Sequence, residues 1–201
     1  MQQYNISKSS SFYALGLSYK KADADIRGRF SLDESSKTNL LNQAKENGIE
    51  SLVVTSTCNR TEIYGFAQHP FQLIQLLCEN TKGTVEEFQK VAYIYKNKDA
   101  ISHMFRVGSG LDSQILGDFE IISQIKKSAV VSKKANLLNP FLERLVNAVI
   151  QASKRIKTET EISSGATSVS FASVQYIFRS VEDVSNKNIL LFGTGKIGRN
   201  T

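Results

Sequence analysis

Apolar and polar positions follow two different periods along the chain. The segment SFYALGLSY, which begins at Ser11, alternates and predicts a strand. The apolar run 52–54 and the alternating run around Ile63 and Tyr64 predict two more strands, joined by a short polar connection. Residues 92–95 predict a further strand. We therefore expect a small, mostly antiparallel sheet in the first half of the chain.

Helices are indicated by helical spacing and by start and stop signals. A helix around 36–47 is stopped by Gly48, and Pro70 opens another. Thr84 with Glu87 three residues later forms a capping box. Beyond position 99 the pattern is almost entirely helical, with helices expected at 99–107, at 118–134, in a long run that follows Asn139, and at 167–179. The predicted fold class is α+β, with a sheet and its helices followed by a helical segment.

A short apolar stretch at 188–192 runs directly into the glycine-rich segment GTGKIG. A strand followed by this glycine spacing is typical of a dinucleotide-binding βαβ unit, in which the glycines let the backbone approach a pyrophosphate. Such a unit needs ~30 residues, so we expect only the first strand of a truncated Rossmann-type domain. The candidate cofactor-binding residues are Gly193, Thr194, Gly195, Lys196, Ile197 and Gly198.

Composition narrows the class of protein without assigning a function. The chain has 201 residues, of which 41% are hydrophobic and 22% charged, as is ordinary for a globular protein. No stretch is long and apolar enough for a membrane span, so we expect a cytoplasmic protein that does not contact membranes. Two cysteines and two histidines do not predict a metal site. The formal charge of +6 suits a polyanion such as RNA, but only weakly, because the basic residues are spread out.

Cys58 lies in the polar connection of the predicted hairpin, within the stretch STCNRTEIY. A thiol at a turn is a candidate nucleophile. Cys78 instead lies on the apolar side of a predicted helix, where a free cysteine usually serves packing. Arg60 has a planar, charged guanidinium that suits a carboxylate. Its spacing alone is equally compatible with an ordinary surface arginine.

The order of motifs along the chain resembles that of the glutamyl-tRNA reductase family. The matching segments are STCNRTEIY, AISHMFRVGSGLDSQILGDFEIISQIKKS, RIKTETEIS, SVSFASV and LLFGTGKIG. This family begins tetrapyrrole (heme) biosynthesis. The resemblance implies that a cysteine attacks glutamyl-tRNA to form a thioester, which NADPH reduces to glutamate 1-semialdehyde.

The resemblance also implies roles for particular residues. Cys58 falls on the nucleophile position, and His103 on a histidine with a catalytic or orienting role. It further implies a catalytic domain at 1–160 that binds glutamyl-tRNA, and a connecting helix with a truncated NADP-binding domain at 161–201. The substrate-binding positions are Thr57, Asn59, Arg60, Ser113, Asp118, Phe119, Glu120 and Gln124.

Two segments depart from the family pattern. Asp118-Phe119-Glu120 stands where the family usually has Glu-Pro-Gln, so that Glu120 adds an anion, which either pairs with the α-ammonium of the substrate or faces solvent. SYKKADADIRGRF stands where members often carry a His-Lys-Thr-Ala-Pro run, although Arg27 is kept.

The resemblance implies partners and a cofactor for the full-length protein. These are glutamyl-tRNA, NADPH, a second copy in a homodimer, and the next pathway enzyme, to which product is handed. We expect this chain by itself to bind NADPH negligibly. Lysines at 126–127, at 133–134 and around Arg155 either contact tRNA phosphates or form a solvated helix face.

Two other functions compete with the reductase. A non-catalytic RNA-binding module is supported only by the basic charge, and it would bind RNA unchanged after Cys58 is blocked. Another nucleotide-dependent dehydrogenase has no need of a thiol beside an arginine at a turn.

Overall fold

The computed structural model describes residues 10–160, 162, 169–193, 195 and 198–199. The α+β class is confirmed. The described elements are, in chain order, β1 (Ser11–Ser18), α1 (Ala24–Arg29), α2 (Glu34–Glu46), β2 (Leu52–Ser56), β3 (Arg60–Ala67), α3 (Pro70–Glu79), α4 (Val85–Val91), β4 (Tyr93–Lys96), α5 (Lys98–Gly108), α6 (Glu120–Lys134), α7 (Pro140–Glu159) and α8 (Val169–Ser180), followed by a 3-10 turn at Val184–Asn186.

The sheet has four antiparallel strands in the order β2-β3-β1-β4. The predicted hairpin is confirmed, because β2 pairs with β3 and its last pair, Ser56 with Thr61, places Cys58 in the connection. Strand β1 lies between β3 and β4, and because helices cover both faces of the sheet, seven of its eight residues are buried.

Helices cover both faces of the sheet. One core joins the strands to α2, α3 and α4 through residues such as Leu40, Leu73 and Phe88. The other joins them to α5, α6 and α7 through residues such as Met104, Ile125 and Val149. This second face carries the candidate site, because the even-numbered positions of β3 point towards α5 and α6.

The capping signals locate most helix starts. The side chains of Thr84 and Glu87 form the predicted capping box of α4, and Pro70 opens α3. Helix α2 begins two residues earlier than predicted, because Asp33 accepts from the Ser36 amide and caps it. Helix α1 was not predicted, since it is short, contains a glycine and buries no residue.

The strand predicted at 188–192 is not formed in the structure. Ile189, Leu190 and Phe192 are 64%, 79% and 88% exposed, and no hydrogen-bonded neighbour extends this stretch within the described ranges. An apolar strand of this kind is stabilised by flanking parallel strands and covering helices. The described residues provide neither at this position, so the apolar pattern alone did not produce a strand.

Candidate functional site

The turn that carries Cys58 is held by its own backbone and by Thr57. The Thr57 amide donates to the Arg60 carbonyl at 2.8 Å, and the Thr57 hydroxyl oxygen accepts from the Asn59 and Arg60 amides, each at 3.2 Å. These bonds satisfy the backbone groups of the turn. Cys58, between them, is an exposed free thiol.

Two residues from the segment after β1 fix the outer side of this turn. The Tyr19 amide donates to the Asn59 carbonyl at 2.9 Å, and Arg27 Nε donates to the Cys58 carbonyl at 3.0 Å. A second nitrogen of Arg27 donates to the Ala22 carbonyl at 2.6 Å. Arg27 therefore positions the backbone of the candidate nucleophile rather than its sulfur.

The loop 109–119, between α5 and α6, lies opposite the turn. Its ends are brought together by a bond from the Gly117 amide to the Gly110 carbonyl at 3.1 Å. Both glycines have positive φ, 73° at Gly110 and 79° at Gly117, and a Cβ on Gly117 would lie 2.6 Å from the Ile162 carbonyl oxygen. Only glycine tolerates this combination of φ and close approach.

The turn and the loop enclose a cavity of about 240 Å³. We call it the Cys58 cavity. Cys58 lines it, together with seven of the eight positions that the resemblance implied for substrate binding, and their role in binding stays a prediction. The seven are Thr57, Asn59, Arg60, Ser113, Asp118, Glu120 and Gln124.

Two residues from the sequence assignment lie elsewhere. Phe119 directly precedes α6, makes no side-chain capping bond to it, and lines the neighbouring groove between α6 and α7, with Lys157 Nζ 5.8 Å from its ring centroid. His103 lies on α5, is 2% exposed and does not line the Cys58 cavity. A role for either in catalysis or binding stays a prediction.

A buried polar network lies directly behind the cavity and is centred on Glu62, which is 1% exposed. Its Oε1 accepts from Arg60 Nη1 at 3.0 Å, from His103 Nε2 at 2.7 Å and from the Tyr93 hydroxyl. Its Oε2 accepts from the Tyr64 hydroxyl at 2.6 Å. Four donors around one buried carboxylate favour its ionised form.

The pKa shifts in this network have opposing causes. Burial acts to raise the pKa of the Glu62 carboxyl, but the charge of Arg60 and the bonds from His103 and Tyr64 outweigh it and lower this pKa from 4.5 to about 2. Burial and the Glu62 charge raise the pKa values of Tyr64 and Tyr93 well above 10.0. Both hydroxyls therefore stay protonated and act as donors.

His103 links α5 to the polar network through its bond to Glu62. Because the ionised Glu62 can only accept, His103 Nε2 must carry the hydrogen of this bond. Its Nδ1 is buried and has no hydrogen-bond partner among the described residues. The imidazole stacks on Tyr95 with ring centroids 4.6 Å apart. This environment orients His103 Nε2 towards Glu62.

Arg60 joins the network to the loop. Its Nη2 donates to the Asp112 carbonyl and, at 3.1 Å, to Asp112 Oδ1, while Lys20 Nζ donates to Asp112 Oδ2 at 2.8 Å. Arg60 is only 3% exposed. Burial would raise the pKa of Asp112, but its bonds to Lys20 and Arg60 lower it. Arg60 is thus paired on both sides, although the sequence suggested a cation available to substrate.

Sequence interpretation missed Glu62, Tyr64, Tyr93 and Asp112. One signal was available, because Arg60, Glu62 and Tyr64 are spaced by two along a predicted strand and must share one face. Three hydrogen-bonding side chains in a row on a buried strand indicate a polar network.

The candidate cofactor segment is only partly described. Thr194, Lys196 and Ile197 lie outside the described residues, whereas Gly193, Gly195 and Gly198 lie within them. A Cβ at Gly198 would lie 2.1 Å from the Gly193 carbonyl oxygen, so position 198 accepts only glycine. A role of this segment in cofactor binding stays a prediction. No cluster of three or more potential metal-ligating side chains occurs within the part of the chain that the structure describes.

Comparison with known proteins decides the family. Residues 15–160 match the family model described as glutamyl-tRNAGlu reductase, N-terminal domain. The chain belongs to the glutamyl-tRNA reductase family. The resemblance inferred from the motifs is thereby confirmed.

Individual members of the glutamyl-tRNA reductase family match the whole chain. The chain is 75% identical to the glutamyl-tRNA reductase of Flavobacterium psychrophilum and 76% identical to that of Christiangramia forsetii, over 100% of its length. It covers 49% and 48% of those proteins, and so spans about half the length of the curated relatives it matches. The solved glutamyl-tRNA reductase from Methanopyrus kandleri is similar in fold, with a TM-score of 0.68 at 25% identity, covering 94% of this chain and 45% of that one.

The helices of the described ranges also bear on membrane contact. None of them combines the length and the apolar composition that a membrane-spanning helix requires.

Acid should destabilise the fold through Glu62. Because its folded-state pKa is about 2 and its ordinary value is 4.5, the stabilisation it provides is complete above pH 4.5 and is lost as the pH falls through 2. The expected loss is about 3 kcal/mol in the free energy of unfolding. Urea unfolding between pH 7 and pH 2, with the Glu62 carboxyl ¹³C shift followed by NMR, measures both quantities. A Glu62 carboxyl that titrates near its ordinary pKa would contradict this role.

Proposed function

We propose that this chain carries the acyl-transfer site of a glutamyl-tRNA reductase. The observation that carries the proposal is the exposed Cys58 thiol in a cavity lined by Arg60, Asp118 and Glu120, in a chain of this family. In the full-length protein the thioester formed here is reduced with NADPH to glutamate 1-semialdehyde, the first step of tetrapyrrole synthesis.

The transfer step needs only the thiol and the ester. Cys58 Sγ attacks the carbonyl carbon of the glutamyl ester, the carbon–sulfur bond forms, and the ester carbon–oxygen bond breaks. The thiol proton leaves to solvent, which the exposed position permits, and the tRNA ribose oxygen regains a proton on departure. The thioester that results accepts hydride more readily than the oxygen ester.

The charges of the cavity suit the two ends of a glutamyl group. The α-ammonium fits beside Asp118 and Glu120, which both line the cavity. Of the two alternatives for Glu120 we propose the substrate contact, although its side chain is also exposed to solvent. The γ-carboxylate fits Arg60 if it takes the place of the Asp112 carboxylate, which Lys20 then holds alone. Exchange of one carboxylate for another keeps Arg60 neutralised throughout.

Arg60→Lys should weaken discrimination between glutamyl and glutaminyl esters. An ammonium cannot hold a carboxylate with two parallel bonds, and the expected loss of discrimination is about 1.5–3 kcal/mol. Competition between the two charged tRNAs for Cys58 measures it. Arg106→Lys, an exposed change on α5, is the matched control. Unchanged selectivity in Arg60→Lys would assign the γ-carboxylate to another residue.

Gly193, Gly195 and Gly198 mark the place that we propose for the NADPH pyrophosphate in the full-length protein. The tight Gly193–Gly198 contact suits a backbone that wraps a pyrophosphate. The cofactor, when bound, supplies the hydride. Negligible NADPH binding by this chain alone, dimerisation, and delivery of the product to the next enzyme stay predictions that rest on the family resemblance.

Detection of the acyl-enzyme tests the proposal directly. Incubation with tRNA charged with labelled glutamate should give an intact mass increased by one glutamyl group, and peptide mapping should place it on Cys58. An RNA-binding module without catalytic activity would bind the tRNA and acquire no adduct. Absence of any adduct, with the tRNA bound, would overturn the proposed function.

A further inference from the structure

A second, larger cavity of about 630 Å³ lies beside the Cys58 cavity, between α2 and α6 and next to the edge strand β2. We call it the α2–α6 groove. Of the residues singled out from the sequence, Gln124 and the lysines at 126–127 line it, and the sequence left open whether those lysines contact tRNA phosphates or face solvent. We propose that it binds the 3′-terminal nucleoside of the aminoacylated RNA and the phosphate that precedes it. This inference rests on the proposed function, since it places the rest of the substrate relative to Cys58.

The two cavities are continuous along α6. Glu120, Ile121 and Gln124 line the Cys58 cavity, and Gln124 with Lys126, Lys127 and Val131 lines the groove. With a rise of ~1.5 Å per residue, Gln124 to Val131 spans about 10 Å. When the acyl group of the ester lies at Cys58, the terminal ribose that carries it must extend out of the Cys58 cavity. The distance along α6 from Gln124 to Val131 matches the length of one nucleoside.

The walls of the groove suit an uncharged aromatic ring. Leu41 from α2 and Val54 from β2 line one side. Val130 and Val131 from α6 line the other, and they are 48% and 39% exposed although both are apolar. Apolar side chains on two sides form a slot for the faces of a base. Ser132 lines the same groove, and its buried Oγ has no hydrogen-bond partner among the described residues.

The rim of the groove is cationic. Lys126 and Lys127 are exposed, and neither forms a salt bridge to a carboxylate within the described residues. Lys37, on the opposite rim, is paired with Glu34 at 2.9 Å, and Glu34 is the acidic residue that lines this groove. An apolar slot with two free lysines at its edge matches a base with an adjoining phosphate, because phosphate contacts supply affinity and position.

Acylation of Cys58 by two substrates tests the groove. One is the trinucleotide CpCpA charged with glutamate, and the other is the α-ethyl thioester of glutamate, which lacks the nucleoside. The double variant Lys126→Ala/Lys127→Ala should lower kcat/KM for the trinucleotide about tenfold or more, and should affect the thioester at least five times less. Val131→Asp should show the same difference between substrates. The salt dependence of the trinucleotide reaction should also fall, by about 0.7 in log–log slope for each lysine contact.

Lys82→Ala/Lys90→Ala is the control, because it removes two exposed lysines, and so the same net charge, outside both cavities and should leave both reactions unchanged. Equal effects of the groove variants on both substrates, or no effect on either, would overturn the inference. The inference would also be overturned if NADP⁺ inhibited the reaction, uncharged CpCpA did not, and the lysine variant relieved the inhibition by NADP⁺. The groove would then bind the cofactor. If neither substrate acylates Cys58, the proposed function itself fails.

Discussion

Cys58→Ser is expected to abolish acyl transfer from glutamyl-tRNA, by at least ~10³-fold, while the fold is unchanged. The side chain lies exposed in a turn whose hydrogen bonds come from the backbone and from Thr57, so serine removes the nucleophile without removing a contact that holds the turn. Serine is a much weaker nucleophile here, because no base contacts position 58. Labelled glutamate transferred to protein and thermal unfolding provide the two measurements.

Cys78→Ser is the matched control. Cys78 packs against the core from α3, and burial raises the pKa of its thiol to about 11. Its replacement should lower stability slightly and leave transfer intact. Full transfer by folded Cys58→Ser would remove Cys58 from the mechanism, and loss of transfer in a folded Cys78→Ser would show that transfer does not depend on Cys58 alone. Alkylation of Cys58 adds a further arm, since blocked protein should still bind tRNA and acquire no glutamyl group.

Local patterns predicted the parts of this molecule that depend on neighbours in sequence. The hairpin around Cys58 followed from an apolar run, a polar connection and renewed alternation, and the structure confirms it. The caps at Thr84 and Asn139 marked helix starts for the same reason. Most of the positions that the motif resemblance implied for substrate binding line one cavity, and their role in binding stays a prediction.

The ion-pair partners of Arg60 could not be predicted from local sequence patterns. Its partners Glu62 and Asp112 come from the same strand and from a loop about fifty positions away, and only the packing of α5 against the sheet brings that loop to it. The strand at 188–192 failed for a related reason, because its apolar pattern needs neighbouring strands to become structure. A pattern specifies which side chains must be buried, but not what buries them.

Glu62→Gln should be the most destabilising polar substitution at this site. Glutamine keeps the shape of the side chain but removes the charge that neutralises Arg60. Its amide NH₂ group also faces hydrogen-bond donors, which are the hydroxyls of Tyr64 and Tyr93 and the His103 imidazole, so some of these bonds are lost. Loss of one partner from a buried ion pair costs about 3–5 kcal/mol. Urea unfolding at pH 7 measures this cost.

Two variants separate the charge from the hydrogen bonds. Tyr64→Phe removes one donor and leaves the ionised carboxylate with three, so it should cost less, about 1–3 kcal/mol. Glu46→Gln neutralises an exposed carboxylate at the end of α2 and should cost under about 0.5 kcal/mol.

Where Glu62→Gln remains folded, transfer to Cys58 should still be slow, because Arg60 loses the partner that fixes it between the turn and the loop 109–119. If Glu62→Gln were no less stable than Glu46→Gln and transferred glutamate at the normal rate, the polar network around Glu62 would neither stabilise the fold nor position Arg60. Transfer would then depend on the Cys58 turn alone.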